Sequence, residues 1–156
     1  FPLIERFFDI FEKTNGVKIV VASHPRVDYT KFPYGFGKRE RSNISTINLI
    51  KNSSIVLAHA STSINYAVIY KKPIILLNSK SFSKVFYNKI LAVSEELNLA
   101  PFYLDQLVFS KTTVILSDKE KKDYKMYLDK FIKNPLSKNI NGWEIFAEYC
   151  KSMKHE

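Results

Sequence analysis

Two short polar clusters, each directly behind an apolar run, hold the residue types that suit a charged ligand: Ser23-His24-Pro25-Arg26 behind Val17–Ala22, and His59-Ala60-Ser61-Thr62-Ser63 behind Ile55–Ala58. His24 offers an imidazole, a hydrogen-bonding group for such a ligand. Pro25 holds the residue before it extended, which projects His24 from the end of its run. Arg26, Arg39 and Arg41 offer guanidinium groups, which grip phosphate in a bidentate way that an ammonium cannot. Ile64, Ala67 and Val68 follow Ser61, Thr62 and Ser63 at i, i+3 and i+4, so a helix opens right after the hydroxyls. Hydroxyls placed there lie beside free backbone N–H groups at the positive end of that helix, a ready anion site.

Each feature also has an ordinary use. A Ser before a helix is commonly only its cap, a single His at a loop start commonly makes a local hydrogen bond, and a surface Arg is often solvated charge. His59, in a mostly apolar stretch, is expected to pack or bond locally rather than to catalyse. Other chemistries lack support. Gly35-Phe36-Gly37 begins like a dinucleotide loop, but Glu40 stands where a third Gly is needed and no helix pattern opens there. No phosphate loop and no Gly-x-Ser-x-Gly elbow exists, and no acid is visibly placed to orient either histidine. His24 and His59 lack helical ligand spacing, and no carboxylate follows Glu40 in their segment, so no metal site is expected.

The elements that must position these clusters alternate. Ile4, Phe7, Phe8 and Phe11 mark a first helix, closed by Asn15-Gly16. Val17–Ser23 reads as a strand buried on both faces of a parallel sheet, and residues 27–43 as a long loop. Ser45 or Thr46 caps a short helix carrying Ile47, Leu49 and Ile50, before the Ile55–Ala58 strand. The helix after Ser63 closes at Lys71-Lys72, where its dipole favours cations, and Pro73 opens a strand over Ile74–Leu77. Phe82, Val85, Phe86, Ile90, Val93 and Leu97 trace a long helix, and Phe102–Leu104 and Thr112–Leu116 read as strands. Asp118 caps a helix with Tyr124, Tyr127, Leu128, Phe131 and Ile132 on one face, closed by Asn134-Pro135. A last helix carries Trp143, Phe146, Ala147, Cys150 and Met153 on one face. The nine Tyr and twelve Phe fall largely on such stripes and are expected in the core. The sum is an α/β chain with an open parallel sheet and helices on both faces, in which ligands bind at the carboxyl ends of strands.

Composition narrows the choice. The 156 residues suit one domain, 1–156, with a sizeable core. A single cysteine excludes an internal disulfide framework and points to a reducing compartment. The uncharged stretch Asn52–Tyr70 is too polar to span a membrane; the chain opens on Phe1-Pro2-Leu3-Ile4 with no initiator Met, basic leader or small-residue cleavage site, so no targeting peptide is expected and it reads as a piece of a longer protein. The formal charge of +9 invites a nucleic-acid reading, but only four of the 24 cations are Arg, and nucleic acid is not the expected partner. The informative part is local: from Arg41 to Ser94 there are seven Lys or Arg and no acid, which suits an anionic small molecule.

A strand ending in His24-Pro25, a loop and helix, then a strand leading into Ser61-Thr62-Ser63 and a helix closing on Lys71-Lys72-Pro73-Ile74-Ile75-Leu76 resembles the C-terminal half of bacterial GT-B glycosyltransferases. The likeness is strongest to the sialyltransferases, polysialyltransferases and Kdo transferases that use CMP-activated sugars, and it covers about residues 17–80. It implies a Rossmann-like half of a GT-B fold that binds the donor nucleotide sugar, CMP- or UDP-linked, without a metal or other cofactor. His24 would be its catalytic residue, stabilising or protonating the departing phosphate, with Pro25, Ser61, Thr62 and Ser63 holding the nucleotide phosphate; Arg26, Arg39 and Arg41 would add the nearby positive charge described above. In that family the catalytic base lies in an acidic pair followed by Gly in the N-terminal half. Here Glu95-Glu96 precedes Leu97 instead, so base and glycan acceptor would belong to a domain outside this chain. The resemblance implies a cytoplasmic enzyme of surface-polysaccharide synthesis, with peripheral association of the full-length protein at the inner face of the membrane. UDP-GlcNAc 2-epimerases share the layout and stay open as an alternative, as does a basic nucleic-acid-binding module.

Overall fold

The computed structural model describes residues 2–24, 28, 36–106, 124–137 and 140–153. The first element is α1 (Pro2–Asn15), with Pro2 at the position where its missing N–H costs nothing. Ile4, Phe7, Phe8 and Phe11 are its buried stripe, as their spacing implies. Gly16 ends it in the left-handed region at φ 63°, where a residue with a Cβ would be strained.

The run after α1 departs from expectation. Only Val21–Ala22 (β1) forms a ladder, parallel to Arg41–Ser42 (β2), and residues 17–24 alternate between partly covered and exposed rather than being buried on both faces. Val17 and Ile19 turn toward α1, while Val20 is 39% exposed. The backbone explains the short ladder, because the Ile19 N–H is taken at 2.7 Å by the Glu12 carboxylate and not by a neighbouring strand.

The second sheet carries the main core. Val56–Ala58 (β3), Ile74–Asn78 (β4) and Phe102–Tyr103 (β5) pair in parallel in the order β3-β4-β5. Thus the described strands form two small parallel sheets, not the single open sheet expected. Between them run α2 (Thr46–Asn52), α3 (Ile64–Ile69) and α4 (Lys84–Leu97). Ser45 is the cap of α2, accepting the Asn48 N–H, and Ser83 caps α4 in the same way. β4 is buried at all five residues, and its alternation divides the interior. Ile74 and Leu76 face a cluster with Ile50, Ile64, Val68, Ile90 and Leu97 from α2, α3 and α4. Ile75 and Leu77 face the phenylalanines of α1 and Leu104. Helices therefore cover both faces of this sheet, and the chain is α/β.

Three further expectations change. Val85 is 67% exposed, because it lies about 100° around α4 from Phe86, which shares the buried side with Ile90, Val93 and Leu97. The helix expected from Asp118 is described as α5 (Lys125–Phe131); Asp118 and the Thr112–Leu116 strand lie outside the described residues. Before α5, buried Tyr124 donates its hydroxyl to the Lys72 carbonyl at 3.1 Å. Finally α6 (Gly142–Ser152) buries none of its residues, and Trp143 is 81% exposed, so its aromatic stripe is not core. Spacing gives a helix an apolar face but does not supply what covers it.

Candidate functional site

Because β3, β4 and β5 run parallel, their carboxyl ends open on one edge of the sheet, and each leads into polar residues. This is the edge at which ligands bind in open α/β sheets.

Behind β3, the turn of Ser61, Thr62 and Ser63 is held by its own hydroxyls. Ser61 Oγ and Ser63 Oγ are 2.9 Å apart, and Ser61 Oγ accepts the Ser63 N–H at 3.3 Å. Both Ser61 and Thr62 are exposed. Their position at the start of α3 is as expected, but the free N–H groups are not. Ile64, Asn65 and Tyr66 donate to the carbonyls of Ser61, Thr62 and Ser63 at 3.1 Å each, so the chain enters α3 through tight i to i−3 bonds. What this turn offers a ligand is hydroxyl groups. The Ser63 side chain makes no cap bond, so the ordinary capping role does not account for it.

His59 stands between strand and turn. Its Nδ1 lies 2.9 Å from the Leu77 carbonyl, and its ring meets Phe82 edge-on at 5.4 Å and Phe86 at 5.8 Å. A carbonyl only accepts, so Nδ1 carries the proton and Nε2 is the acceptor of the neutral ring. Burial pushes the His59 pKa below its ordinary value, against a smaller opposing pull from the Leu77 carbonyl. The expected local packing and hydrogen bond are what the structure has. His59 thereby ties the loop after β3 to the loop after β4.

The loop behind β4 holds residues that sequence reasoning passed over. Asn78 and Ser79 are fully buried; Asn78 Oδ1 accepts the Ser79 N–H at 2.9 Å. Ser79 Oγ lies 2.6 Å from Ser81 Oγ and donates to Asp105 Oδ1 at 3.0 Å, while Asp105 Oδ2 accepts the Lys80 N–H at 2.6 Å. Asp105 comes from the 3₁₀ turn Leu104–Gln106 directly after β5. The signal was present, since Ile74–Leu77 runs into Asn78-Ser79-Lys80-Ser81 just as the Ile55–Ala58 run leads into its hydroxyls. Only the fold could add Asp105, which is 26 positions from Ser79.

The remaining candidates belong to the β1–β2 sheet. His24 is exposed two residues beyond β1, and Arg41 lies on β2 in register with Val21. Pro25 and Arg26 lie outside the described residues. Arg39 is turned toward α1: its guanidinium meets Asp9 at 2.5 Å and Glu12 at 2.7 Å, donates to the Phe36 carbonyl, and sits 5.2 Å from the Phe8 ring centre. Burial alone would lower its pKa, but the two carboxylates outweigh it and raise the value. An open cleft of about 560 Å³ beside this pair is lined by Glu5, Asp9, Glu12, Lys18, Arg39 and Glu40 among others. Lys18 pairs with Glu40 at 2.9 Å, so these two charges, like those of Arg39, Asp9 and Glu12, are spent on one another. Thus Ser61 and Ser63 are brought together, with His59, Ser79, Ser81 and Asp105 added at the same edge, while His24 and Arg41 stand on the other sheet.

Among the described residues no group of three or more His, Cys, Asp or Glu is placed to hold a metal ion, and no helix is long and apolar enough to cross a membrane. No protein-family model matches the chain, and neither a curated protein nor a solved structure shows significant similarity to it.

Proposed function

We propose that the chain is the donor-binding half of a metal-independent glycosyltransferase, a Rossmann-like half of a GT-B enzyme that takes a CMP- or UDP-linked sugar. The observation that carries this reading is the shared carboxyl edge of β3, β4 and β5, where every strand leads into hydroxyl, imidazole or carboxylate groups. The cation-bearing, acid-free run from Arg41 to Ser94 supplies most of that edge and favours an anionic ligand. Ser61 and Ser63 hold the phosphate through their hydroxyls. His24 and Arg41 meet the same phosphate, joined in this reading by Pro25 and Arg26, and His24 stabilises it, or protonates it, as it departs. Arg39 serves α1 in this arrangement and takes no part. Acceptor and catalytic base belong to a further domain, and the full enzyme works in the cytoplasm at the inner face of the membrane on surface polysaccharide.

The test is a calorimetric or NMR titration of the folded chain with CMP and UDP. Binding is expected, with His24→Ala and Ser61→Ala each weakening it about tenfold, the loss of one hydrogen bond to a charged group. A folded chain that binds neither nucleotide refutes the proposal.

A further inference from the structure

The loop after β4 contains a hydrogen-bond chain whose direction is fixed by valence. An ionised carboxylate only accepts. Asp105 Oδ2 takes the Lys80 N–H at 2.6 Å, and its Oδ1 takes the Ser79 hydroxyl proton at 3.0 Å. Having given its one proton to Asp105, Ser79 Oγ accepts from Ser81, from the N–H at 3.1 Å and from the hydroxyl at 2.6 Å. Ser79 is fully buried and its donor and both lone pairs are used. The consequence falls on Ser81, the exposed end of the chain. Its only hydroxyl proton points inward, so toward solvent Ser81 presents lone pairs alone.

The turn after β3 has the opposite character. Ser61 and Ser63 share one hydrogen bond between two hydroxyls, which leaves one proton to offer a ligand oxygen. The two turns are neighbours through the His59–Phe82 ring contact, with Phe82 next to Ser81 and His59 two residues before Ser61. One turn can donate to a phosphate, while Ser81 requires a donor from the ligand.

We infer that Ser81 is a specificity-determining residue of this edge, accepting a hydrogen bond from a ring hydroxyl of the ligand, with Ser79 and Asp105 as positioning residues that keep it an acceptor. The inference rests on the donor-binding reading and adds to it the group that reads a sugar hydroxyl, on the ribose or on the transferred sugar.

Isothermal calorimetry on the whole chain tests it with matched probes: CMP and UMP against their 2′,3′-dideoxy forms, and UDP-glucose against UDP. The hydroxyl-bearing member of one pair is expected to bind about tenfold more tightly, and which pair shows it identifies the hydroxyl's source. Ser81→Ala should bring that ratio to near one and leave the weaker member's affinity unchanged. Asp105→Asn gives a second test in a variant that keeps a planar side chain. Its amide oxygen still accepts from Lys80, but its NH₂ donates to Ser79, which reverses the chain and turns the Ser81 proton outward, so the ratio again falls to near one. A purely structural role would weaken both members of a pair equally and keep the ratio; that result, or a ratio indifferent to Ser81, overturns the inference alone. Absence of binding by every probe overturns it together with the donor-binding reading.

Discussion

Glu12 connects α1 to the segments that lead into both strands of the first sheet, and its removal gives a sharp stability test. One oxygen accepts the Ile19 N–H at 2.7 Å and the other the Arg39 guanidinium at 2.7 Å. A neutral hydrogen bond contributes about 1 kcal/mol net, and one to a charged group about 1.5–3 kcal/mol. The Glu12 side chain is 25% exposed, which argues for the lower part of the second range; the Arg39 side chain is only 9% exposed, so its charge stays costly when the solvent-screened Asp9 is the carboxylate left to it. The expected loss for Glu12→Ala is therefore about 3 kcal/mol, or about 6–12 °C in Tm for a chain of this size. Glu12→Gln should fall between, because its amide has one acceptor for two donors. Asp9 binds the same guanidinium at 2.5 Å but is 73% exposed, so solvent screens it and Asp9→Ala should cost under about 1 kcal/mol. Urea and thermal unfolding of the three variants decide. Equal losses for Glu12→Ala and Asp9→Ala, or a Glu12→Ala loss within about 0.5 kcal/mol, would refute the reasoning that burial, rather than proximity, sets the strength of this clasp.

Two other outcomes follow from the core and its edge. His59 has a lowered folded-state pKa, so its stabilising contribution is complete above the unfolded value of about 6.5 and is lost as pH falls from there through the folded value. The stability difference between the native chain and His59→Gln should shrink from pH 7.5 to pH 5, and a pH-independent difference counts against the buried neutral ring. Leu76 is fully buried in the centre of β4, and Leu76→Ala should cost about 2–5 kcal/mol. Met126, 86% exposed on α5, should change stability by no more than about 0.5 kcal/mol when replaced by Ala. Chemical denaturation separates the two, and comparable losses would show that the assignment of inside and outside is mistaken.

Much of this architecture could be read from local signals, and the exceptions share a cause. The Phe7, Phe8 and Phe11 stripe, the Ser45 cap and the strand at Ile74–Leu77 depend on neighbours within a few residues, and they appear where spacing puts them. What went unread depends on distant partners. The Val17–Ser23 run is apolar enough for a doubly buried strand, but a carboxylate from α1 captures its backbone and one side meets no second layer. Arg39 carries the charge suited to phosphate, yet α1 presents Asp9 and Glu12 to it, 30 and 27 positions earlier. Asp105 follows the two-residue strand β5, and only the β4–β5 pairing brings it to Ser79. The hydroxyl cluster at Ser61–Ser63 was legible as a place, while its N–H groups were not, because the tight entry to α3 is a backbone choice that side-chain types do not announce.

The alternation along β4 also constrains how this domain can diverge. Every residue from Ile74 to Asn78 is buried, with one neighbouring interior receiving Ile74 and Leu76 and the other Ile75 and Leu77. No position on the strand can change size without disturbing a packed layer, so the strand behaves as a fixed post from which the loop Ser79–Ser83 hangs. On the proposed donor-binding reading, substitutions that retune ligand preference while sparing the fold are accordingly confined to the turns after β4 and its neighbour β3. Ser81, Ser61 and Thr62, all exposed, are the positions in those turns that can change without disturbing a packed layer.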